Sequence, residues 1–167
     1  MSIDALRGCV AIGPERTLEQ DPRFVFRVLV DIASKALSPA INDPTTAVQA
    51  IDRIQHLLLI LAGHHLDDGR VHDRAGNLRL VYGTPDWPDF VVLAVSEVRQ
   101  FGAASIQVVR RLRAMLERLV QSVPEPRRPP LRAELAILGK SVERNFPDED
   151  DRRLAMEADY QGIGGSG

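Results

Sequence analysis

The sequence lacks the features on which several functional classes depend. Its 167 residues include one cysteine, Cys9, which excludes an internal disulfide and any metal site built from several cysteines. Aromatic residues make up only 5% of the chain, and 21 basic against 23 acidic side chains leave a net charge of -2. Because there is neither a basic excess nor a basic face interleaved with aromatics, the composition argues against nucleic acid as a partner.

Long hydrophobic runs are also absent. No apolar run is longer than that of Leu57–Ala62, which is far shorter than the roughly 20 apolar residues that cross a bilayer as a helix. The first residues do not combine a basic region with an apolar core, so the N-terminus shows no signal peptide. We therefore expect this chain itself to be soluble, and its single cysteine is compatible with a reducing compartment.

What the sequence does contain is helical periodicity. Hydrophobic residues make up 44% of the chain, as in ordinary globular proteins. They recur at spacings of three and four, with no alternation of strands and helices typical of a parallel sheet. The pattern predicts a mainly all-α fold, a bundle of about five to six helices with one small β-hairpin. The predicted helices are Pro22–Leu37, Pro44–Ala62, Trp87–Phe101, Ser105–Val123 and Leu131–Asn145, with a last one opened by Pro147.

We expect one helical domain over residues 1–161. Within it, residues 1–20 are a lead-in and residues 124–130 form an extended proline-rich connector. Residues 162–167, rich in glycine, are expected to form a flexible tail.

Two features of this domain predict contacts beyond a single helix pair. Val71-His72 and Leu78–Tyr82 predict a hairpin around residues 73–77, and an isolated hairpin is marginal in water. It must therefore lie on the helices or pair with another chain. The second helix is apolar all round at Leu57–Ala62, so that stretch must be covered on all sides by the domain or by a partner subunit.

The strongest candidate for a site is the segment Ser38–Asp52. It places prolines, hydroxyls, an amide and carboxylates between two apolar helices. Asp43 is expected to cap the second helix, which would also repel a phosphate from that helix terminus. Asn42, Thr45 and Thr46 either hold a turn through local hydrogen bonds or contribute to a ligand site, and both interpretations stay open.

The other titratable residues give weaker signals. Asp31 lies four residues from Arg27 and from Lys35, which predicts surface ion pairs or a functional carboxylate. Asp52 and His56 could supply two metal ligands or an acid–base pair, but metal sites normally need three or four ligands. We expect no metal and no cofactor.

The sequence also shows no recognisable reaction. Cys9 has no histidine nearby to activate it. Neither a phosphate-binding glycine loop, nor a nucleophile elbow, nor a dinucleotide fingerprint occurs. An enzyme is therefore the less favoured interpretation. The arginines on the polar face of the fourth predicted helix are interpreted as a solvated face, with acidic lipid headgroups as a weaker alternative; they are Arg110, Arg111, Arg113 and Arg118.

Several short runs carry a family resemblance: Arg16-Thr17, Gln20-Asp21, Leu29-Val30-Asp31-Ile32-Ala33, Ala36-Leu37-Ser38-Pro39 and Ile41-Asn42-Asp43-Pro44-Thr45-Thr46-Ala47. They resemble the C-terminal part of a bacterial family of predicted membrane proteins catalogued as domain of unknown function 2254. The resemblance covers about Gly13–Ala62 and extends more loosely to Phe101. It implies transmembrane helices ahead of this region, so this chain would be an excised domain or a naturally short relative. No activity or catalytic residue comes with the resemblance.

Two hypotheses follow. The leading one is a non-enzymatic soluble domain of a bacterial membrane protein, acting in assembly or regulation through subunit contacts. It implies a homo-oligomer on the cytoplasmic side, joined to the membrane through a transmembrane part absent from this chain. The alternative is a ligand-binding, metal-binding or hydrolytic module centred on Ser38–Asp52. It requires the candidate ligand-binding residues to converge in one pocket; these are Arg16, Thr17, Asp31, Asn42, Asp43, Thr45, Thr46 and Asp52.

Overall fold

The computed structural model describes residues 21–163. Over this range the prediction of a mainly helical fold with one small hairpin is confirmed. None of the helices in this range combines the length and the apolarity that a bilayer-crossing segment needs. The elements are α1 Pro22–Ala36, α2 Pro44–Ala62, β1 Arg70–His72, β2 Leu78–Val81, α3 Trp87–Phe101, α4 Ile106–Ser122, a short 3-10 turn Glu125–Arg127, α5 Arg128–Asn145 and α6 Glu149–Ala155.

An aspartate followed closely by proline opens each of the first three helices. The Asp21 carboxylate accepts from the backbone N–H of Arg23 at 3.0 Å, and Asp86 forms a reciprocal capping box with Asp89 at the start of α3. These carboxylates satisfy amides that have no partner within the helix, and proline in the first turn needs no such partner. The starts of the helices are thus fixed by local sequence.

The helices pack as a closed ring. α1 contacts α2 and α3, α2 contacts α4, α4 contacts α5, and α5 returns to α3, while α6 packs mainly on α4. The rings of Phe26 and Phe90 lie 5.6 Å apart, which places the first turns of α1 and α3 side by side. Because α1 and α2 are antiparallel across a short connection, the C-terminal end of α2 lies at this same end of the bundle.

The predicted extended connector over residues 124–130 is wrong in part. Residues Glu125–Arg127 form the 3-10 turn, and α5 begins at Arg128, earlier than predicted. Pro129 and Pro130 fall in the first turn of α5. There the helix does not use their missing N–H groups, so proline does not prevent helix formation.

Arg127 anchors this turn to the end of α2. Its guanidinium donates to the carbonyls of Leu61 at 2.8 Å and His64 at 2.6 Å, and it lies 5.2 Å from the ring centroid of Trp87. Trp87 Nε1 in turn donates to the carbonyl of Arg127 at 2.7 Å. A cation at the C-terminal end of a helix satisfies free carbonyls and complements the helix dipole.

Candidate functional site

The turn between α1 and α2, at the heart of the predicted site, is held by its own backbone. The N–H of Asp43 donates to the carbonyl of Ala36 at 2.8 Å, and that of Asn42 donates to the carbonyl of Ser38 at 2.9 Å. Asn42 adopts a φ of 48°, in the left-handed region that asparagine tolerates better than most residues. Asn42 therefore serves the turn through its backbone, while its side chain is exposed.

Asp43 caps α2, as the sequence predicts. Its carboxylate accepts from the backbone N–H of Thr46 at 3.0 Å and from the Thr46 hydroxyl at 2.5 Å. The hydroxyl of Thr46, followed by the N–H groups of Thr46 and Thr45, holds the pKa of Asp43 below its usual value. Both oxygens of this carboxylate are thus engaged at the helix start, whereas the Thr45 side chain is exposed.

A cleft of about 400 Å³ opens between α1 and α2 beside this cap. It brings together two of the predicted residues, Thr46 and Asp52. Its walls combine apolar and polar side chains: Leu29, Ile32, Thr46, Gln49, Ala50, Asp52 and Arg53. The predicted residues Arg16 and Thr17, like Cys9, lie outside the described residues.

Asp31 does not line this cleft. Its carboxylate forms an ion pair with Arg27 at 2.5 Å. The guanidinium of Arg27 also donates to both carboxylate oxygens of Glu97 in α3, at 2.6 and 2.8 Å. The Glu97 carboxylate raises the pKa of Arg27, and the guanidinium holds the pKa of Glu97 below its usual value. The predicted ion pair between Arg27 and Asp31 is present within α1, and Arg27 also links α1 to α3 through Glu97.

Asp52, at the edge of the cleft, is bound to a buried arginine. Nε of Arg111 lies 2.5 Å from the carboxylate of Asp52, and its NH2 donates to the amide oxygen of Gln55 at 2.9 Å. Arg111 is only 7% exposed, so the prediction of a solvated arginine face is wrong here. A guanidinium removed from water needs such partners, and Arg111 finds them on α2.

Arg110, its neighbour on α4, is 3% exposed, so the prediction of a solvated arginine face is wrong for this residue as well. Its Nε donates to the carbonyl of Glu157 at 3.2 Å. The carbonyl of Arg110 accepts from the N–H of Asp159 at 3.2 Å, and NH1 of Arg111 reaches the carbonyl of Asp159 at 3.5 Å. Two consecutive arginines therefore bind the chain that follows α6, which we call the C-terminal segment, Glu157–Gly162.

Hydrogen bonds hold the C-terminal segment up to its last residue, Gly162. Asp159 is 2% exposed, and its carboxylate accepts from the N–H groups of Gln161 at 3.0 Å and Gly162 at 2.8 Å. Gly162 has a φ of 76°, and a Cβ there would lie 3.0 Å from Val48 on α2. The predicted boundary of the flexible tail is therefore too early at residue 162.

One of these arginines left a signal in the sequence. Arg111 lies three residues after Val108 and four before Met115, two core residues of α4, so helical spacing puts it at the edge of the apolar stripe. Arg110 has no such signal, because the chain that covers it comes from the far end of the sequence.

The opposite end of the bundle is apolar and open. A groove of about 160 Å³ runs between the start of α1 and the end of α2, and His64 is the only polar residue among those that line it. Ile60 in this groove is 48% exposed, so the stretch predicted to be covered on all sides is not fully covered within the described chain. The groove is lined by Pro22, Val25, Phe26, Leu57, Ile60, Leu61 and His64.

The hairpin projects from this same end. β1 and β2 pair antiparallel, with Arg70 opposite Val81, Val71 opposite Leu80 and His72 opposite Leu78, which leaves Arg79 as a bulge. Every strand residue is exposed, so the first predicted alternative, a hairpin that lies on the helices, is not found in residues 21–163, and pairing with another chain stays a prediction. The groove and the hairpin together are called the apolar end; its most exposed hairpin side chains are Val71, Leu78, Leu80, Val81 and Tyr82.

Local hydrogen bonds keep the hairpin in shape. Asp73 accepts from the backbone N–H of Asn77 and of Ala75, both at 2.9 Å, and from Nε of Arg79 at 2.7 Å. At the base of the hairpin, the hydroxyl of Tyr82 donates to the carboxylate of Asp67. This bond holds the pKa of Asp67 below its usual value and raises the pKa of Tyr82.

The histidines do not assemble a metal site. His56, His64 and His65 are exposed, and the carboxylate of Asp52 turns to Arg111 rather than to His56. Within residues 21–163 no group of three or more histidine, cysteine, aspartate or glutamate side chains is arranged to hold a metal ion.

Comparison with known proteins adds a family. The family described as Predicted membrane protein (DUF2254) matches residues 1–118. Two uncharacterized proteins, Rv1290c of Mycobacterium tuberculosis and Mb1321c of Mycobacterium bovis, are each 36% identical to the chain over 150 residues. The matched region covers 89% of this chain but 29% of each relative, so the chain spans less than a third of the length of these curated relatives. No solved structure matches the chain.

Proposed function

The chain belongs to the DUF2254 family of predicted membrane proteins, and from that premise we propose that it acts in the assembly or regulation of a membrane protein through subunit contacts. The observation that carries this proposal is the apolar end. A groove lined by apolar side chains and His64 lies at the same end of the bundle as the hairpin, whose strand residues are all exposed. Large apolar patches of this kind mark interaction sites more often than single exposed hydrophobic residues do.

The energetic case rests on side chains that residues 21–163 leave about half covered. Ile60 is 48% exposed, Leu80 55% and Val81 65%. Fully burying a side chain of this size stabilises by about 1.5–3 kcal/mol, so covering the remaining half of each contributes on the order of 1 kcal/mol. A partner surface that covers the groove and the hairpin together therefore gains several kcal/mol before the costs of association.

The polar groups around the start of α2 already have their partners within the fold. The buried guanidinium of Arg111 is bonded to Asp52 and Gln55 within the fold, and Asp43 is engaged by Thr46. A polar group that already has its partners gains little from a second chain. Subunit contact is thus expected at the apolar end.

Sedimentation velocity over a concentration series tests the proposal. We expect the chain to associate reversibly and Ile60→Asp to remain monomeric, because a carboxylate in the groove would be desolvated by any covering partner. Ile137→Asp is the matched control, since Ile137 is also partly exposed, at 38%, but lies on α5. A chain that stays monomeric at the highest concentration, or equal association of the two variants, would contradict the proposal.

A second candidate function is ligand binding in the cleft between α1 and α2, favoured by the meeting of Thr46 and Asp52 there. Its volume of about 400 Å³ falls in the range of small-molecule sites. Native mass spectrometry of the purified chain tests it. A reproducible bound mass that disappears when Gln49→Trp fills the cleft would support this function, and an unliganded chain under gentle conditions would count against it.

A further inference from the structure

We infer that the hairpins of two copies of this chain pair with each other through the free edge of β2, antiparallel, with Val81 of one copy opposite Val81 of the other. The inference rests on the proposed function and deepens it, because it names the partner as a second copy and identifies the contact as strand pairing. Strand pairing at an exposed edge is a common way for chains to associate, because the edge presents unpaired backbone groups.

The first step concerns the direction of the backbone groups. Successive residues of an antiparallel strand direct their N–H and C=O groups to opposite edges. The N–H of Tyr82 donates to the carbonyl of Gly69 at 2.9 Å, on the side of β1. The N–H and C=O of Val81 therefore point to the other edge of β2. Within residues 21–163 no other strand pairs with that edge, and every residue of β2 is exposed, Val81 most of all at 65%.

The second step concerns the register. Two identical strands that pair about a two-fold axis place one residue opposite itself. With Val81 at the centre, the two Val81 residues exchange both of their outward-facing hydrogen bonds, and Leu80 lies opposite Tyr82 on each side. A register centred on Leu80 would instead need hydrogen bonds from the bulged Arg79. One centred on Arg79 would oppose two guanidinium groups, which is unfavourable.

The third step concerns the side chains. Val71 lies opposite Leu80 in the hairpin, and Tyr82 follows Leu80 by two, so these three share one face of the strands. Pairing two hairpins joins the same three side chains of both copies into one apolar face on a four-stranded sheet. The register centred on Val81 places Arg79 opposite Gly83, so no like charges face each other. It also removes the isolation that makes a single hairpin marginal in water.

The hydrogen-bonding step is tested by Val81→Pro, with Val81→Thr as the matched control. Proline removes the N–H that faces the free edge but none that β2 donates to β1, so the hairpin retains its own ladder. Threonine keeps the N–H and the β-branched shape. We expect Val81→Pro to weaken self-association at least tenfold in sedimentation equilibrium, and Val81→Thr to leave it within about twofold. Val81→Pro chains that associate as tightly as the unsubstituted chain would overturn the inference.

The register is tested by disulfide cross-linking in a Cys9→Ser background. The Cβ atoms of facing residues in a non-hydrogen-bonded pair lie about 4.5–5.5 Å apart, close to the separation of a disulfide. We expect a mixture of Leu80→Cys and Tyr82→Cys chains to form mixed covalent dimers under mild oxidation, and neither variant alone to do so to the same extent. Equal cross-linking of either variant with itself would overturn the register.

Two further outcomes separate this inference from the proposed function. Association that is lost in Ile60→Asp but unaffected in Val81→Pro would overturn the strand pairing and leave the proposed subunit contact standing. A monomeric chain that floats with vesicles of anionic phospholipid, and loses this binding in Leu80→Asp, would overturn both in favour of a lipid surface.

Discussion

The two ends of this molecule differ in how much of their side chains the fold itself covers and bonds. Around the start of α2, the carboxylate of Asp43 and the buried guanidinium of Arg111 are bonded within the chain. The single side chain of Arg111 connects α4 to Asp52, to Gln55 and to the carbonyl of Asp159. At the apolar end, Ile60 and the strand residues remain in contact with water. The buried polar groups of the first region find hydrogen-bond partners within the chain, whereas the exposed apolar area of the second is removed from water only when another surface covers it.

This difference separates stability from association. A substitution in the polar network removes a partner from a buried group, which costs folding free energy whatever the protein concentration. A substitution at the apolar end changes a surface that the folded chain already leaves open. The first region is therefore expected to govern unfolding, and the second to govern contacts between chains.

The largest effect is expected from Arg111→Met, which removes the centre of the polar network. Methionine leaves the buried amide oxygen of Gln55 without its charged partner, which costs about 1–3 kcal/mol of folding free energy. We expect the upper end of this range because the hydrogen bonds to Asp52 and to the carbonyl of Asp159 are lost as well. Urea unfolding followed by circular dichroism measures it. Arg118→Met, an exposed arginine of the same helix, should change stability by less than about 0.5 kcal/mol, and equal effects would contradict the role of Arg111.

A smaller effect is expected from Gly162→Ala in the C-terminal segment. The positive φ and the approach of Val48 to the position of a Cβ predict a loss of about 1–2 kcal/mol. Gly139→Ala provides the matched comparison, since nothing lies within 4 Å of a Cβ at this position inside α5. There alanine should stabilise by up to about 1 kcal/mol. Thermal unfolding of both variants would show shifts of opposite sign, and a neutral Gly162→Ala would mean that the segment is not needed for stability.

A pH dependence is expected from the Arg27–Glu97 pair. Arg27 holds the pKa of Glu97 below its ordinary value of 4.5, so the folded state binds this proton less readily than the unfolded chain does. Its stabilisation is fully present above that ordinary value and is lost as the pH falls through the lower pKa of the folded state. Unfolding free energies measured from pH 6 downward should decline less steeply in Glu97→Gln than in the unsubstituted chain. Parallel curves would contradict the contribution of Glu97.

The smallest effect on stability is expected at the apolar end. Leu80→Ser, measured in dilute solution where the chain is monomeric, should change the unfolding free energy by less than about 0.5 kcal/mol, because the side chain is 55% exposed. Chemical unfolding at low protein concentration checks this. A loss of more than about 1 kcal/mol of unfolding free energy would show that the hairpin stabilises the helices. It would contradict the assignment of stability to the polar region and of association to the apolar end.

The elements that the sequence predicts well are those fixed by local chemistry. Asp43 with Pro44 marks the start of α2, and the cap appears as expected. The hairpin strands also pair around the predicted loop. Capping and turn formation depend on residues within one or two turns of each other, so they are visible in a single sequence.

The elements that the sequence does not reveal depend on distant neighbours. Glu134 is 4% exposed in α5 and binds Ser96 and Arg99 of α3. Its spacing from Leu131 and Leu138 places it at the edge of an apolar stripe, but a single sequence does not show which residues of α3 bind it. The covering of Arg110 by the C-terminal segment is likewise a contact between remote parts of the chain. For the same reason the predicted convergence of Asp31 with Asp52 does not appear. Asp31 pairs with Arg27 on its own helix, whereas Asp52 pairs with Arg111 on α4.

Hydrogen–deuterium exchange at two protein concentrations tests the difference between the two ends most directly. We predict that the backbone amide of Val81, which faces the free edge of β2, exchanges readily in dilute solution and gains protection at high concentration. The amides around Ile60 at the end of α2 should gain protection in the same way. Amides of the C-terminal segment, such as that of Gly162, should be protected equally at both concentrations. Exchange in the hairpin that does not depend on concentration would contradict the account.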